Sequence, residues 1–182
     1  MYSSVYSFAK WARSTFVIAL MSAPVSAPAA ADSMCTDYTF RDVGPTALDF
    51  ADYYIAPGKL APTAPKITRE YRLFRSAIRR GAAAGPNFAG HYTFTQWGVG
   101  AGGVCWAIVN AKNGKIGDGG CVVTAGAEGQ QPQFRLNSRL LILTGGLAQG
   151  RDGIAYYEWT GNKLKERQFF SRAQLCEHRL KP

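Results

Sequence analysis

Val104-Cys105-Trp106-Ala107-Ile108-Val109-Asn110-Ala111-Lys112-Asn113-Gly114-Lys115-Ile116 is the stretch on which the fold turns. Its first half is rich in β-branched and apolar residues, and Asn-Gly is a strong hairpin signal because both positions tolerate positive φ. The stretch therefore reads as a strand, a turn and the start of a second strand. Just upstream, Tyr92-Thr93-Phe94-Thr95-Gln96-Trp97 alternates aromatic and polar residues, as a half-buried strand does. The glycine-rich run Gly98–Gly103 between them reads as a flexible hairpin connection.

The same plan recurs downstream. Arg139–Thr144 reads as a strand, Gly145–Gly153 as a polar glycine loop and Ile154–Trp159 as the next strand. Gly161-Asn162 then makes a turn, and Lys163-Leu164-Lys165 continues. An ungapped shift of 48 positions lays Gly98 on Gly146, Gly102 on Gly150, Ala107 on Ala155 and Lys115 on Lys163. Two strand–loop–strand–turn–strand units result, too few for a propeller, which needs about four blades. Shorter strands are expected at Thr39-Phe40-Arg41, Val122-Val123 and Gln133-Phe134-Arg135, and a final helical turn at Ser171–Cys176.

The clearest helix lies before the first unit, over Lys66–Arg80. Ile67, Tyr71, Phe74 and Ile78 form one apolar stripe. Arg72, Arg75 and Arg79 line a flank of that stripe, and Gly81 is placed to end the helix. The expected fold is α+β, a twisted antiparallel sheet of the two units with this one main helix packed on a face.

The first residues divide into a basic start with Lys10 and Arg13, the apolar run Phe16–Met21, and a small-residue segment ending Ala29-Ala30-Ala31-Asp32. That order is the pattern of a secretory signal peptide, with cleavage expected after Ala31. The apolar run is far shorter than the roughly 20 residues a spanning helix needs. Residues 1–31 are thus expected to be removed, leaving 32–182 as one soluble domain of the periplasm or exterior, with no membrane span. Without Lys10 and Arg13 the formal net charge falls from +9 to +7. In an exported protein such a balance suits simple solubility, or an envelope protein or anionic cell-wall polymer as partner, rather than nucleic acid.

Cys35, Cys105, Cys121 and Cys176 all lie in the mature part, and four cysteines allow three pairings. Cys105–Cys121, flanking a hairpin, and Cys35–Cys176, tying the two ends together, are the pairing expected in an oxidising compartment. A two-residue turn at Asn113-Gly114 would set Cys105 opposite Val122, so a bulge in Gly117-Asp118-Gly119-Gly120 is needed to correct the register. With no C-x-x-C spacing and only two histidines, neither a metal nor a cofactor is expected.

Gly85-Pro86-Asn87-Phe88-Ala89-Gly90-His91-Tyr92-Thr93, followed by Trp97-Gly98, is the most specific motif in the chain. With it go Ala107–Lys115, Asn137-Ser138-Arg139-Leu140-Leu141 and Tyr156-Tyr157-Glu158-Trp159-Thr160-Gly161. Together, over roughly residues 72–165, these resemble a group of small exported bacterial proteins of unknown function. The resemblance implies export and a single mixed domain, and no activity. In that group the glycine loop after Trp97-Gly98 often carries a cysteine near its second one. Here that position holds Val99, which leaves Cys105 to find a different partner and weakens a redox reading of the loop.

His91 is the first residue to weigh for chemistry, as base or ligand beside Asn87 and Tyr92. Set against that is a structural role in satisfying loop backbone groups. His178 lies in a charged tail and reads as solvated, and Glu158 reads as facing solvent by alternation. There is no G-x-S-x-G elbow and no phosphate-binding loop. The other candidate is a surface of aromatics and arginines: Trp97, Tyr157 and Trp159 with Arg72, Arg75 and Arg79. The expectation is therefore a non-catalytic binding or interaction module of the cell envelope that recognises an anionic or protein partner. The alternative is a small periplasmic hydrolase using His91.

Overall fold

Strand-forming sequence, read from Tyr92 onward, folds into one antiparallel sheet. The computed structural model describes residues 38–40, 42–124 and 130–180, with side chains through Glu177. The segment 1–31 expected to be an export signal, Cys35, Arg41 and the side chain of His178 lie outside the described residues. The strands are β1 Tyr92–Gly100, β2 Gly103–Asn110, β3 Ile116–Val123, β4 Gln133–Phe134, β5 Leu140–Gly146, β6 Asp152–Trp159 and β7 Leu164–Ser171. Their order is β1-β2-β3-β5-β6-β7, with the short β4 also on β5. The expected α+β architecture of two three-stranded units is what forms. A shift of 48 carries β3, Ile116–Val123, onto β7, Leu164–Ser171, residue for residue.

The two units meet in the sheet through a single residue pair, Val123 with Gly146. Side chains join them far more extensively. Phe94, Trp106, Ile108 and Val122 of the first unit share one core with Leu141, Leu143, Ala155 and Trp159 of the second. The inner faces of the units therefore look at each other across that core. Phe88, from the loop before β1, is fully buried there, and the Tyr92 and Trp159 rings meet edge to face at 5.1 Å. Each outer face has its own cover. Ala107 and Val109 of β2 lie under the helix, whereas Leu140, Ile142, Ile154 and Tyr156 are capped by apolar residues from Tyr38 to Tyr53 and by Leu175. Leu175 belongs to α2, Arg172–Leu180, which extends the helical turn expected at Ser171–Cys176.

The main helix starts later and ends later than its sequence suggests. A 3-10 turn, Arg72–Phe74, leads into α1, Arg75–Ala83. Lys66 is not helical; its N–H donates to the Gly114 carbonyl at 2.7 Å and ties the chain to the β2–β3 turn. The stripe nonetheless acts as one surface: Ile67, Tyr71 and Phe74 pack with buried Ile78 against Ala107 and Val109. Gly81 does not terminate α1 but lets it approach β1, since a Cβ at that position would collide with the Thr95 side chain.

The glycine run after Trp97 is not a flexible loop either. β1 and β2 continue through it and close on a two-residue turn, Ala101-Gly102, with φ of 46° and 74°. Positive φ at both central residues is the type I′ signature, whose twist matches that of the strands. The β2–β3 connection is longer than a two-residue turn, with the Asn110 N–H donating to the Lys115 carbonyl at 2.9 Å. Carried on unbroken, that pairing would set Cys105 opposite Gly120. The register shifts between Ala107 and Val109, through the Gly117-Asp118 segment, and Cys105 comes opposite Cys121. The disulfide Cys105–Cys121 forms across the two strands, with its Cα atoms 4.0 Å apart. Cys176 is also disulfide-bonded.

Three smaller expectations are corrected. Thr39 and Phe40 make a turn, not a strand, closed by the Asp42 carboxylate accepting from the Thr39 N–H at 2.6 Å. Val122-Val123 ends β3 instead of opening a new strand. Glu158 is buried, not solvated as its alternation suggests, because two arginines supply charges for its carboxylate. Its carboxylate accepts from Arg139 Nη1 at 2.7 Å and Arg167 Nε at 2.8 Å.

Candidate functional site

In the loop Gly85–His91 the Asn87 side chain does structural work. Asn87 acts as a short extra strand for β1: its Nδ2 donates to the Phe94 carbonyl at 3.0 Å and its Oδ1 accepts from the Phe94 N–H at 2.7 Å. Thr93 Oγ1 donates to the Gly85 carbonyl, and the Gly90 N–H to the Leu136 carbonyl. These bonds seat Phe88 in the shared core. The Tyr92 hydroxyl donates to the Gly161 carbonyl at 3.1 Å, across to the second unit. His91 is half-buried with its ring 4.4 Å from that of Tyr92. Burial, and then the charge of Lys112, lower its pKa below the ordinary imidazole value. Asn87 and Tyr92 thus bond to different carbonyls, those of Phe94 and Gly161.

The aromatic candidates part company. Trp159 is 1 % exposed and belongs to the shared core, so it presents no surface to a partner. Tyr157 is half-buried against the same core, beside the bidentate Arg151–Glu166 pair at 3.0 and 2.7 Å. Trp97 is the one nearest the helix. It stacks on Phe74 with ring centroids 5.0 Å apart. With Tyr71, Gly119, Gly120 and the Cys105–Cys121 bridge it lines a hollow of about 170 Å³.

Arg72, Arg75 and Arg79 are all exposed. Spaced three and four residues apart on a helix, they project from one flank while Phe74, Ile78 and Ala82 face the sheet. Among the described residues no carboxylate lies within ion-pair distance of any of the three. Four other arginines are ion-paired: Arg139 and Arg167 with Glu158, Arg151 with Glu166, Arg172 with Asp152. Within the row, Arg75 Nη1 donates to the Arg72 carbonyl at 3.3 Å, and exposed Arg69 and Arg80 on the same segment are likewise without a carboxylate among the described residues. The apolar stripe seats the helix, so the row is fixed by the same residues that fix the fold.

Beside the end of this row lies a feature that sequence reasoning missed. Pro62, Thr63, Ala64 and Pro65 run past α1 and enclose, with Arg79, Ala82 and Ala83, a hollow of about 400 Å³. The wall is pinned to the β2–β3 turn: the Thr63 N–H donates to the Ala111 carbonyl at 2.8 Å and its hydroxyl to the Lys112 carbonyl at 3.1 Å. Pro62 and Pro65 signal a stiff irregular segment, but nothing local in the sequence says where it docks.

Among the described residues no helix is long and apolar enough to cross a membrane. Compared with protein-family models, with curated proteins and with solved structures, the chain matches none.

Proposed function

We propose that this chain is an exported, non-catalytic interaction module of the cell envelope that binds an anionic or protein partner through the arginine flank of its main helix. The observation that carries the reading is the row Arg72, Arg75 and Arg79, exposed and without a carboxylate partner among the described residues. Three uncompensated guanidiniums on a rigid face favour an acidic surface, by bidentate hydrogen bonding as well as charge. Export is supported by the three-zone N-terminal pattern and by the Cys105–Cys121 disulfide, a bond that persists in oxidising compartments.

Titration of fluorescein-labelled poly-glutamate against the protein at low and high salt tests the reading. Binding that weakens as salt screens the charges, and that falls about tenfold or more in R72Q/R75Q/R79Q, is expected. All three positions are exposed, so the variant should keep its unfolding temperature. Salt-sensitive binding unaffected by the three changes would place the anion elsewhere on the molecule and refute the proposal.

A further inference from the structure

We infer that the arginine row and the Pro62–Ala83 hollow form one groove for an extended acidic protein segment bearing a single apolar side chain; this rests on the proposed function and narrows it. Arg79 belongs to both features, standing at the end of the row and on the rim of the hollow. From Arg72 to Arg79 the chain rises about 11 Å, at 1.5 Å per α-helical and 2.0 Å per 3-10 residue. An extended segment advances about 3.3 Å per residue and turns alternate side chains to the same side, some 6.6 Å apart. Acidic residues two apart in such a segment therefore keep pace with Arg79, Arg75 and Arg72 in turn.

The hollow supplies what a polyanion cannot use. Pro62, Pro65, Ala82 and Ala83 give it apolar walls, and Arg79 is its only charged member. Its proline-bearing wall is held by the Thr63 and Lys66 bonds to the β2–β3 turn, so the cavity is formed before a ligand arrives. A lipid surface is a poorer match. A helix that lies on a membrane turns its apolar face outward, whereas the apolar face of α1, Ile78 and Ala82, is buried against Ala107 and Val109 of the sheet. On this helix and its leading 3-10 turn a single large apolar side chain is exposed, Leu73 at 87 %, too little to seat the helix on a membrane.

The test compares labelled peptides of alternating Glu and Ser, headed or ended by Leu, with the same peptides carrying Ser for Leu. Inorganic polyphosphate and phosphatidylglycerol vesicles are further probes. One Leu peptide should bind about tenfold tighter than its Ser counterpart, the effect of burying most of one apolar side chain. Ala83→Phe, which fills the hollow from an exposed position, should erase that preference while leaving polyphosphate binding unchanged. Ala64→Phe fills it from the opposite wall, should one variant fold poorly. Equal binding of Leu and Ser peptides, with polyphosphate still bound, would overturn the groove and leave the arginine reading standing. Failure of every anion to bind would remove both. Vesicle binding without discrimination between peptides would overturn the groove in favour of a membrane surface.

Discussion

Glu158 sits with its carboxylate between Arg139 and Arg167, its side chain 8 % exposed while theirs are 41 % and 38 %. Removing both cations strands a buried charge, so R139A/R167A should lose about 3–5 kcal/mol in chemical denaturation, and E158Q added to that pair should restore part of it. At Gly81 the ordinary helix propensity is reversed. Alanine is better than glycine by about 1 kcal/mol in an open helix. Here its methyl meets the Thr95 side chain, so G81A should destabilise by about 1–3 kcal/mol and T95A should relieve part of that in a double-mutant cycle. Glu166 shows the pH dependence of a paired carboxylate. Hydrogen bonds from Arg151 hold its pKa below the ordinary value. The pair then stabilises fully above the ordinary carboxylate pKa, and the contribution is lost as pH falls through the depressed folded value. Arg151→Met should raise the Glu166 pKa, read by NMR titration, and flatten this part of the acid limb. At this scale, alternation told which residues share a face and not what covers the face. Glu158 reads as solvated because the arginines that let it be buried, Arg139 and Arg167, belong to other stretches of the chain.

The hairpins were the legible elements, because Asn113-Gly114 and the alternation of β1 are local signals. Their ends were less so. The glycine run at 98–103 carries too few side chains to display a period, yet it pairs as strand to its tip. The start of α1 was hidden for a different reason: Ile67 continues the apolar spacing, but the chain at Lys66 is tied to a carbonyl of the β2–β3 turn. The disulfide across β2 and β3 depends on one shifted register. Opening its loop, with the cysteines 16 apart in sequence, should cost about 3 kcal/mol in the chain-entropy model. C105S/C121S is expected to show that loss in urea unfolding under oxidising conditions and none when the parent is fully reduced. The arginine flank followed from the helical spacing alone. The adjoining hollow did not, since it is made by residues 62–65 meeting 79–83 only after the sheet brings them together.

For the molecule as a whole, Trp159 is the test of how the two units cooperate. Its ring meets Phe88 and Tyr92 and lies against Gly117 of β3, so it touches the first unit from the second. Trp159→Ala should cost about 3–5 kcal/mol, with the loss spread to amides of both units in hydrogen exchange. The duplication at a shift of 48 was visible in the sequence, but the face-to-face closure was not. Alternation is the same whether an apolar face meets a second layer or its own twin. The single Val123–Gly146 pair has a consequence for how the protein fails. The ladder scarcely sets the angle between the halves, and interlocked side chains do. Agents that loosen apolar packing but spare amide bonding should therefore let the halves open like the covers of a book along a one-rung spine. The long margin of β3 facing away from β2, unpaired in the ladder but for Val123, would then lose its side-chain cover and become a template on which a second chain could zip. Oligomers grown under such mild conditions should carry their first intermolecular contacts there.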